Sequence, residues 1–393
     1  MKSSLILWTL VFFLLTPAWM RLAWEFTPMK VMNLMIVDKT VLNSNGEKHR
    51  SVNWILDHEK YIKSDSNFYE INKDYYGFFP GDNEEYTIKD FDNMSDEELD
   101  SVADKNDAMY FTDTYGVFTN EWYRHRDIHD ESQSIYGGLS EKDIKMMEKM
   151  KARKKLILTE FNMVGMPTPA DVRHNFENTF RIKWTGWIAR SITSLDTTDN
   201  PDLPLWIVKA YKKTHDNSWN FKKAGMLFIH ESGAVAVLEE GRDLTEAIPN
   251  IVTDKPNQSR FGVPGTIIYP YWMDIWENQT DSNNVDAHYI INTTASGLAQ
   301  LSALGIPKFF PAIIEHRSNY RFFYFCGDFA DNPTKFRFAK LSGITGLKFL
   351  MYNANDQTDR NRFFWEFYLP MMQNLLGDYY RELPMVRRLA QIR

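Results

Sequence analysis

The chain has 393 residues, 44% of them hydrophobic and 25% charged, with a formal net charge of −7. That is enough chain for one large domain or two ordinary ones, and the acidic balance with only short basic runs, 145–155 and 387–393, argues against a nucleic-acid partner. A single cysteine, Cys326, excludes an internal disulfide, and no Cys/His spacing points to zinc.

Residues 3–20, SSLILWTLVFFLLTPAWM, are apolar and uncharged between Lys2 and Arg21. The length fits a signal peptide or a minimal membrane span. Trp19, Met20 and Trp24 crowd the place where a signal peptidase wants small residues, and tryptophans of this kind anchor at a membrane interface. The expectation is a hydrophobic helix acting as an uncleaved signal-anchor over residues 1–29, with the body on the extracytoplasmic side. Secretion after cleavage is the alternative.

Residues 31–41, VMNLMIVDKTV, form an apolar run ending at Asp38, as in a strand buried on both faces. Residues 47–62 then place Val52, Ile55, Leu56 and Tyr61 at helical spacing. Residues 95–106 carry a Ser95 cap followed by acids, which marks a helix start. AMYFTDTYGV, 108–117, reads as a second buried strand, breaking at Asp113 and Tyr115. The polar loop 118–134 holds Asp127, His129 and Asp130, which read as a solvated loop ahead of a metal site. Ser140 and Asp143 approximate a capping box, and the helix they open leads into the strand LILTEF, ending at Glu160 and Asn162. Thr168 and Pro169 open another helix, with Arg173 and Glu177 spaced for an ion pair.

The pattern changes near 195–204, a Pro-, Asp- and Thr-rich stretch. LWIVKAY, AGMLFIH, GAVAVLEEG, GTIIYPYWMDIW and DAHYIINTT are short β-branched or aromatic runs, so residues 196–307 read as a β-rich insertion or second lobe. KFFPAIIEHRSNYRFFYFCG reads as two more strands, and the end of the chain as helix broken by Pro370. The divisions are thus 1–29, an α/β domain over 30–195, the β-rich part over 196–307, and 308–393 completing the α/β domain.

Several strands end in polar groups: Asp38; Asp113 and Tyr115; Glu160 and Asn162; Asp328 and Asp331. If those strands run parallel in one sheet, their carboxyl ends share the edge at which open α/β sheets bind ligands. Converging acids push one another's pKa values apart, which suits general acid–base work, or they hold a hard cation. Asp113, Glu160 and Asp328 are the candidates for catalysis. Asp38, Tyr115, Asn162 and Asp331, with a Trp184–Trp187 stacking platform, are the candidates for ligand binding. No metal ligand and no cofactor is assigned. Cys326 inside FYFC reads as core. The sequence has no G-x-S-x-G elbow, no phosphate-binding G-x-x-x-x-G-K-[ST] loop and no H-E-x-x-H pair. Its sequons at Asn93, Asn257, Asn278 and Asn292 are used only in a host that glycosylates exported proteins.

MNLMIVDKT, DAMYFTDTYGV, SIYGGLSEKD and KKLILTEFN resemble the core of the class I glutamine-amidotransferase-like fold, in the broad trehalose-utilisation-like group. The resemblance covers about 30–190 and extends to 308–385. It implies a doubly wound, mainly parallel sheet. Amidotransferases of this fold carry a cysteine at the elbow and a later His-x-Glu pair. Here the elbow reads TEFNMVG, with Glu160, Phe161 and Asn162, so the resemblance implies no glutaminase activity. Relatives of the fold occur beside enzymes of surface-polysaccharide handling. The expectation is therefore a membrane-anchored protein that binds or handles cell-surface glycans, with a carboxylate-based glycan hydrolase or a metal-binding module as alternatives.

Overall fold

The computed structural model describes residues 15–124, 132–198 and 200–390, with side chains to residue 384. The described part of the chain opens with helix α1 (Thr16–Glu25). It continues through β1 (Leu34–Asp38), α2 (Arg50–His58), β2 (Tyr76–Pro80), β3 (Tyr86–Lys89), α3 (Asp96–Lys105), β4 (Ala108–Asp113), α4 (Glu141–Ala152) and β5 (Leu156–Glu160). Next come α5 (Ala170–Phe180), β6 (Ile182–Ile192), α6 (Leu205–Thr214), β7 (Gly225–His230) and β8 (Val235–Glu239). Then follow β9 (Asn250–Thr253), β10 (Thr266–Ile268), β11 (Met273–Asn278), β12 (Asn283–Ile290), β13 (Phe309–His316) and β14 (Arg321–Phe325). The chain closes with Arg360–Phe363, a π-turn at Phe364–Tyr368, and helix α7 (Leu369–Ala390).

Among the described residues the largest sheet has ten strands, in the order β10-β9-β12-β13-β14-β5-β4-β1-β2-β3. Its centre, β14-β5-β4-β1-β2, is parallel. These strands are buried on both faces, which is why LMIVD, AMYFTD and LILTE read as continuous apolar runs. The expected mainly parallel sheet is in fact mixed, because antiparallel strands extend both flanks. The reason is local: only residues 317–320 join β13 to β14, too few for a crossover, so that pair must be a hairpin.

Two other expectations change. LWIVKAY is helix α6, not a strand. It follows Pro204, and Ile207 and Val208 are buried with Tyr211 one turn on, a helical stripe that a seven-residue window hides. The β-rich part is also not a self-contained lobe. β9, β10 and β12 join the main sheet, while a second antiparallel sheet, β8-β7-β6-β11, begins already at Ile182. That sheet separates the main core from a small one of Ile192, Leu195, Ile207, Leu227 and Val237. The many aromatic residues largely pack inside. Phe180 stacks on Phe322 at 4.0 Å, and Trp54 meets Phe364 and Trp365 edge-on.

The helix starts follow their caps. Ser95 and Glu98 form a capping box on α3, and Ser140 and Asp143 one on α4. The basic face of α4 lies along α3, where Lys145 pairs with Asp96 and Lys149 with Asp100. Arg173 pairs with Glu231 and not with Glu177, whose carboxylate accepts from the Trp184 amide. Residues 1–14, nearly half of the expected anchor, and the loop residues Asp127, His129 and Asp130 lie outside the described residues. No described helix is long and apolar enough to cross a membrane.

Candidate functional site

Because β14, β5, β4 and β1 are neighbours and parallel, Asp328, Glu160, Asp113 and Asp38 finish on one edge of the sheet. Phe325 is in register with Glu160, and Asp38 with Asp113. The acids converge on a cation that the chain itself supplies. Lys48, on the 3₁₀ turn Glu47–His49 that opens α2, places Nζ 3.0 Å from Asp328, 2.9 Å from Asp331 and 3.9 Å from Asp113. The Asp113 and Asp328 carboxylates thus lie within two salt-bridge lengths of each other. Burial works against the Lys48 charge, but Asp328, Asp331 and Asp113 outweigh it and hold its pKa well above the ordinary lysine value.

Asp113 is tightly held. Its Oδ1 accepts from Thr40 Oγ1 at 2.8 Å and from the Tyr115 amide at 2.6 Å, while the Gly116 amide donates to Thr40. Burial pushes its pKa up, Lys48 pulls it down, and Asp38 and Asp328 push it up again, leaving it at about 7. A carboxyl poised there exchanges protons at neutral pH. Asp38 is fully buried, 2.5 Å from His49 Nδ1, while His49 Nε2 lies 2.9 Å from the Ile71 carbonyl. That carbonyl can only accept, so Nε2 carries a proton and Nδ1 faces Asp38. The pair fixes the turn that carries Lys48.

The other side of the site is built from the last strand and the closing helices. Arg360 Nη1 lies 3.8 Å from Asp328 and 4.0 Å from Asp331, and Nη2 donates to the Asp328 carbonyl at 2.6 Å. Its guanidinium sits over Tyr271 at 4.1 Å, and its Nε is buried without a hydrogen-bond partner among the described residues. Asp328 and Asp331 behave as a pair. Asp328, the deeper, is driven upward by burial and by Asp331 against the pull of Lys48 and Arg360. For Asp331, those two cations overcome burial and hold it below the ordinary range. Lys48 keeps 22% of its side chain exposed and Asp331 28%, so solvent reaches the cluster between them. Tyr115, half-buried, lies near Asp113, and the Trp272 carbonyl accepts from the Asp328 amide, while the Trp272 ring packs on Phe161 with Arg190 over it.

Not every candidate reaches this cluster. Glu160 is fully buried. Its Oε2 accepts from Tyr110 at 2.6 Å and its Oε1 from the Ala330 amide at 3.1 Å. Burial first, then the Asp328 charge, hold its pKa well above the carboxylate range. It braces the segment carrying Asp328 and Asp331 from below, and no solvent path meets it. Asn162 adopts φ 66°, and its carbonyl accepts from Thr114. Trp184 and Trp187 correct the stacking-platform expectation: they are 8% and 7% exposed, packed in the main core, with Trp184 Nε1 donating to the Trp187 carbonyl. Buried rings offer no face to a sugar. Cys326 is buried in β14's continuation, its thiol pushed up by burial and Asp274. Among the described residues no group of three His, Cys, Asp or Glu is arranged to hold a metal; Lys48 fills the space between the carboxylates.

Sequence reasoning missed Lys48, His49, Thr40 and Arg360. Lys48 had a signal, since it stands at the first turn of the helix after the first strand, where a Rossmann-like edge draws its groups. Arg360 lies far down the chain and carries none.

Since burial and the Asp328 charge already disfavour the ionised form of Glu160, the neutral Glu160→Gln is expected to change stability at pH 7 by less than about 1 kcal/mol in urea denaturation. Glu160→Ala leaves the Ala330 amide without its acceptor and Tyr110 with Tyr368 alone, and is expected to cost about 2–4 kcal/mol.

No family model matches the chain, and no curated protein matches it. Among solved structures it is similar to a protein described as ThuA-like from Bacteroides uniformis, at 8% identity and a TM-score of 0.36, over 76% of this chain and 82% of that one. At that similarity the match assigns no residue of this chain a role.

Proposed function

We propose that the protein is a membrane-anchored, extracytoplasmic component that binds cell-surface glycans at the carboxyl edge of its main sheet, without glutaminase activity. The observation that carries the reading is the convergence of Asp113, Asp328 and Asp331 on Lys48 and Arg360 at a partly exposed edge. Polyhydroxylated ligands need closely spaced acceptors and donors, with aromatic faces beside them. Carboxylates accept from sugar hydroxyls, Lys48 and Arg360 donate, and the half-buried Tyr115 lies near Asp113. Against glutaminase chemistry stands the cysteine, which is fully buried, with its thiol pKa pushed up by burial and Asp274.

One observation favours a second reading, carboxylate-based glycan hydrolysis. Asp113 titrates at about 7, while Asp331, on the same Lys48, is held below the ordinary carboxylate range. One carboxyl that carries a proton and one that does not are the minimum such chemistry needs.

Calorimetry of the full chain in detergent against a panel of surface oligosaccharides tests the first reading. Arg360→Ala and Asp331→Asn are each expected to weaken binding about tenfold or more, as removal of a charge-assisted hydrogen bond should. Unchanged affinity in both variants would defeat it. Release of reducing ends from a bound oligosaccharide, lost in Asp113→Asn, would favour hydrolysis.

A further inference from the structure

Helix α1 is built to be covered on both sides. Its inner side is pinned to the body by Trp24, which stacks on Phe68 at 6.0 Å, donates Nε1 to the His58 carbonyl at 3.0 Å and lies beneath the Lys60 ammonium at 4.4 Å. The Met20 carbonyl accepts from the Ser342 amide on the same side. At about 100° per residue, Leu15, Trp19, Leu22 and Phe26 then fall in one stripe diametrically opposite Trp24. Those four are 44%, 49%, 47% and 80% exposed, and Met29, beyond the end of the helix, is 55% exposed. A water-facing helix places polar residues on that side. A second apolar projection stands close by. The turn Ile344–Leu350 starts two residues after Ser342 and leaves Phe349 and Leu350 exposed at 62% and 65%. Lys340 and Lys348 flank it, with side chains 36% and 43% exposed.

We infer that the outer face of α1, together with Phe349 and Leu350, is a membrane-surface platform that lies in the bilayer interface and holds the ligand edge of the main sheet away from the lipid. The occupant is lipid because of what is continuous with the stripe. Residues 3–14, SSLILWTLVFFL, are apolar and uncharged and run directly into Leu15. An apolar helix face with tryptophan at its margin and lysines near it is the composition that settles about 5–10 Å into the headgroup boundary. The orientation follows from α2. That helix begins at His49, in the site, and ends at His58, under Trp24. Nine residues of helix span about 13 Å, so α2 sets the Trp24 contact at its C-terminal end apart from the Lys48 turn at its N-terminal end. The inference rests on the proposed membrane anchoring and is independent of what the site binds.

The test uses the single cysteine. Cys326 is fully buried, so a cysteine introduced at the surface is the accessible one. Leu22→Cys, Phe26→Cys and Phe349→Cys are labelled with an environment-sensitive fluorophore. Asp82→Cys, on the loop after β2 at the ligand edge, serves as control. Each full-length variant is reconstituted into phosphatidylcholine vesicles with a minor fraction of phosphatidylglycerol. Lipids with a shallow nitroxide are expected to quench the labels at 22, 26 and 349, and iodide to quench them several-fold less than the label at 82. Iodide quenching at 22 and 26 equal to that at 82 would overturn the platform. So would shielding that grows with protein density while nitroxide lipids leave the labels bright, the signature of a second copy covering the face. A failure of glycan binding would leave this result untouched, so the two ideas fall separately.

Discussion

Replacing Lys48 by methionine is expected to destabilise the protein by about 3–5 kcal/mol at pH 8 and by much less at pH 5. Methionine keeps much of the volume and removes the charge. Three carboxyls, Asp113, Asp328 and Asp331, then face one another around an apolar side chain, where only Arg360 still offsets two of them. Asp113 and Asp328 are almost completely buried, so water cannot take over the role of the ammonium. At pH 5 the outcome softens because the carboxyls take up protons: Asp113 does so already near pH 7, and Asp328 is also displaced upward. The native pKa of Lys48 lies well above the ordinary value, so its own titration stays outside this range and both measurements report the charged lysine. Lys48→Arg retains the charge and is expected to recover most of the loss. Urea denaturation in detergent solution at the two pH values is the measurement. Equal losses at both would show that packing, and not the carboxylates, accounts for the effect.

The ligand edge was legible in the sequence to the extent that strands announce themselves. LMIVD, AMYFTD, LILTE and RFFYF are unbroken apolar runs, and a run buried on both faces belongs to the middle of a parallel sheet. Given that, the first polar residue after each run falls on one edge, and Asp38, Asp113, Glu160 and Asp328 do. Which of them meets solvent was not legible. Glu160 and Asp328 follow adjacent strands, yet one is enclosed by Tyr110 and Ala330 while the other meets Lys48. That difference depends on how residues 328–332 fold back over β5, a tertiary matter with no local pattern. Lys48 and Asp328 are 280 residues apart, and Arg360 comes from yet another element. Trp184 and Trp187 misled because W-T-G-W looks the same whether a sheet face is open or covered. Here α5 and Trp276 lie against it, and Trp184 carries Arg173 over its ring. The strand reading of LWIVKAY failed for a similar reason: a few consecutive apolar residues carry no period.

Asp113→Asn is expected to leave stability nearly unchanged at pH 3, to raise it by about 1.5 kcal/mol at pH 5 and by about 4 kcal/mol at pH 8 relative to the unmodified protein. In the unfolded chain Asp113 titrates near 4, whereas in the folded protein it titrates at about 7. Between those values the folded state holds a proton that the unfolded state has released, so stability falls as pH rises through the window. The stabilising contribution is complete below about pH 4 and lost above about pH 7. Asparagine cannot ionise and keeps an Oδ1 able to accept from Thr40 and Tyr115 as the carboxyl does. Its amide group then takes the place of the second carboxyl oxygen, 3.9 Å from Lys48, where a neutral group costs little beside a protonated carboxyl. Other buried acids titrate upward in the same range, Asp274 at about 7 and Asp286 at about 8, so the whole protein's profile does not isolate this residue. The difference between unmodified protein and variant does, because those groups are common to both. Urea midpoints at half-unit pH steps should show the two curves running together in acid and parting as pH rises through the Asp113 window. Curves that stay parallel would mean that Asp113 ionises normally, and that its place beside Lys48 is a simple ion pair with no proton to exchange at neutral pH.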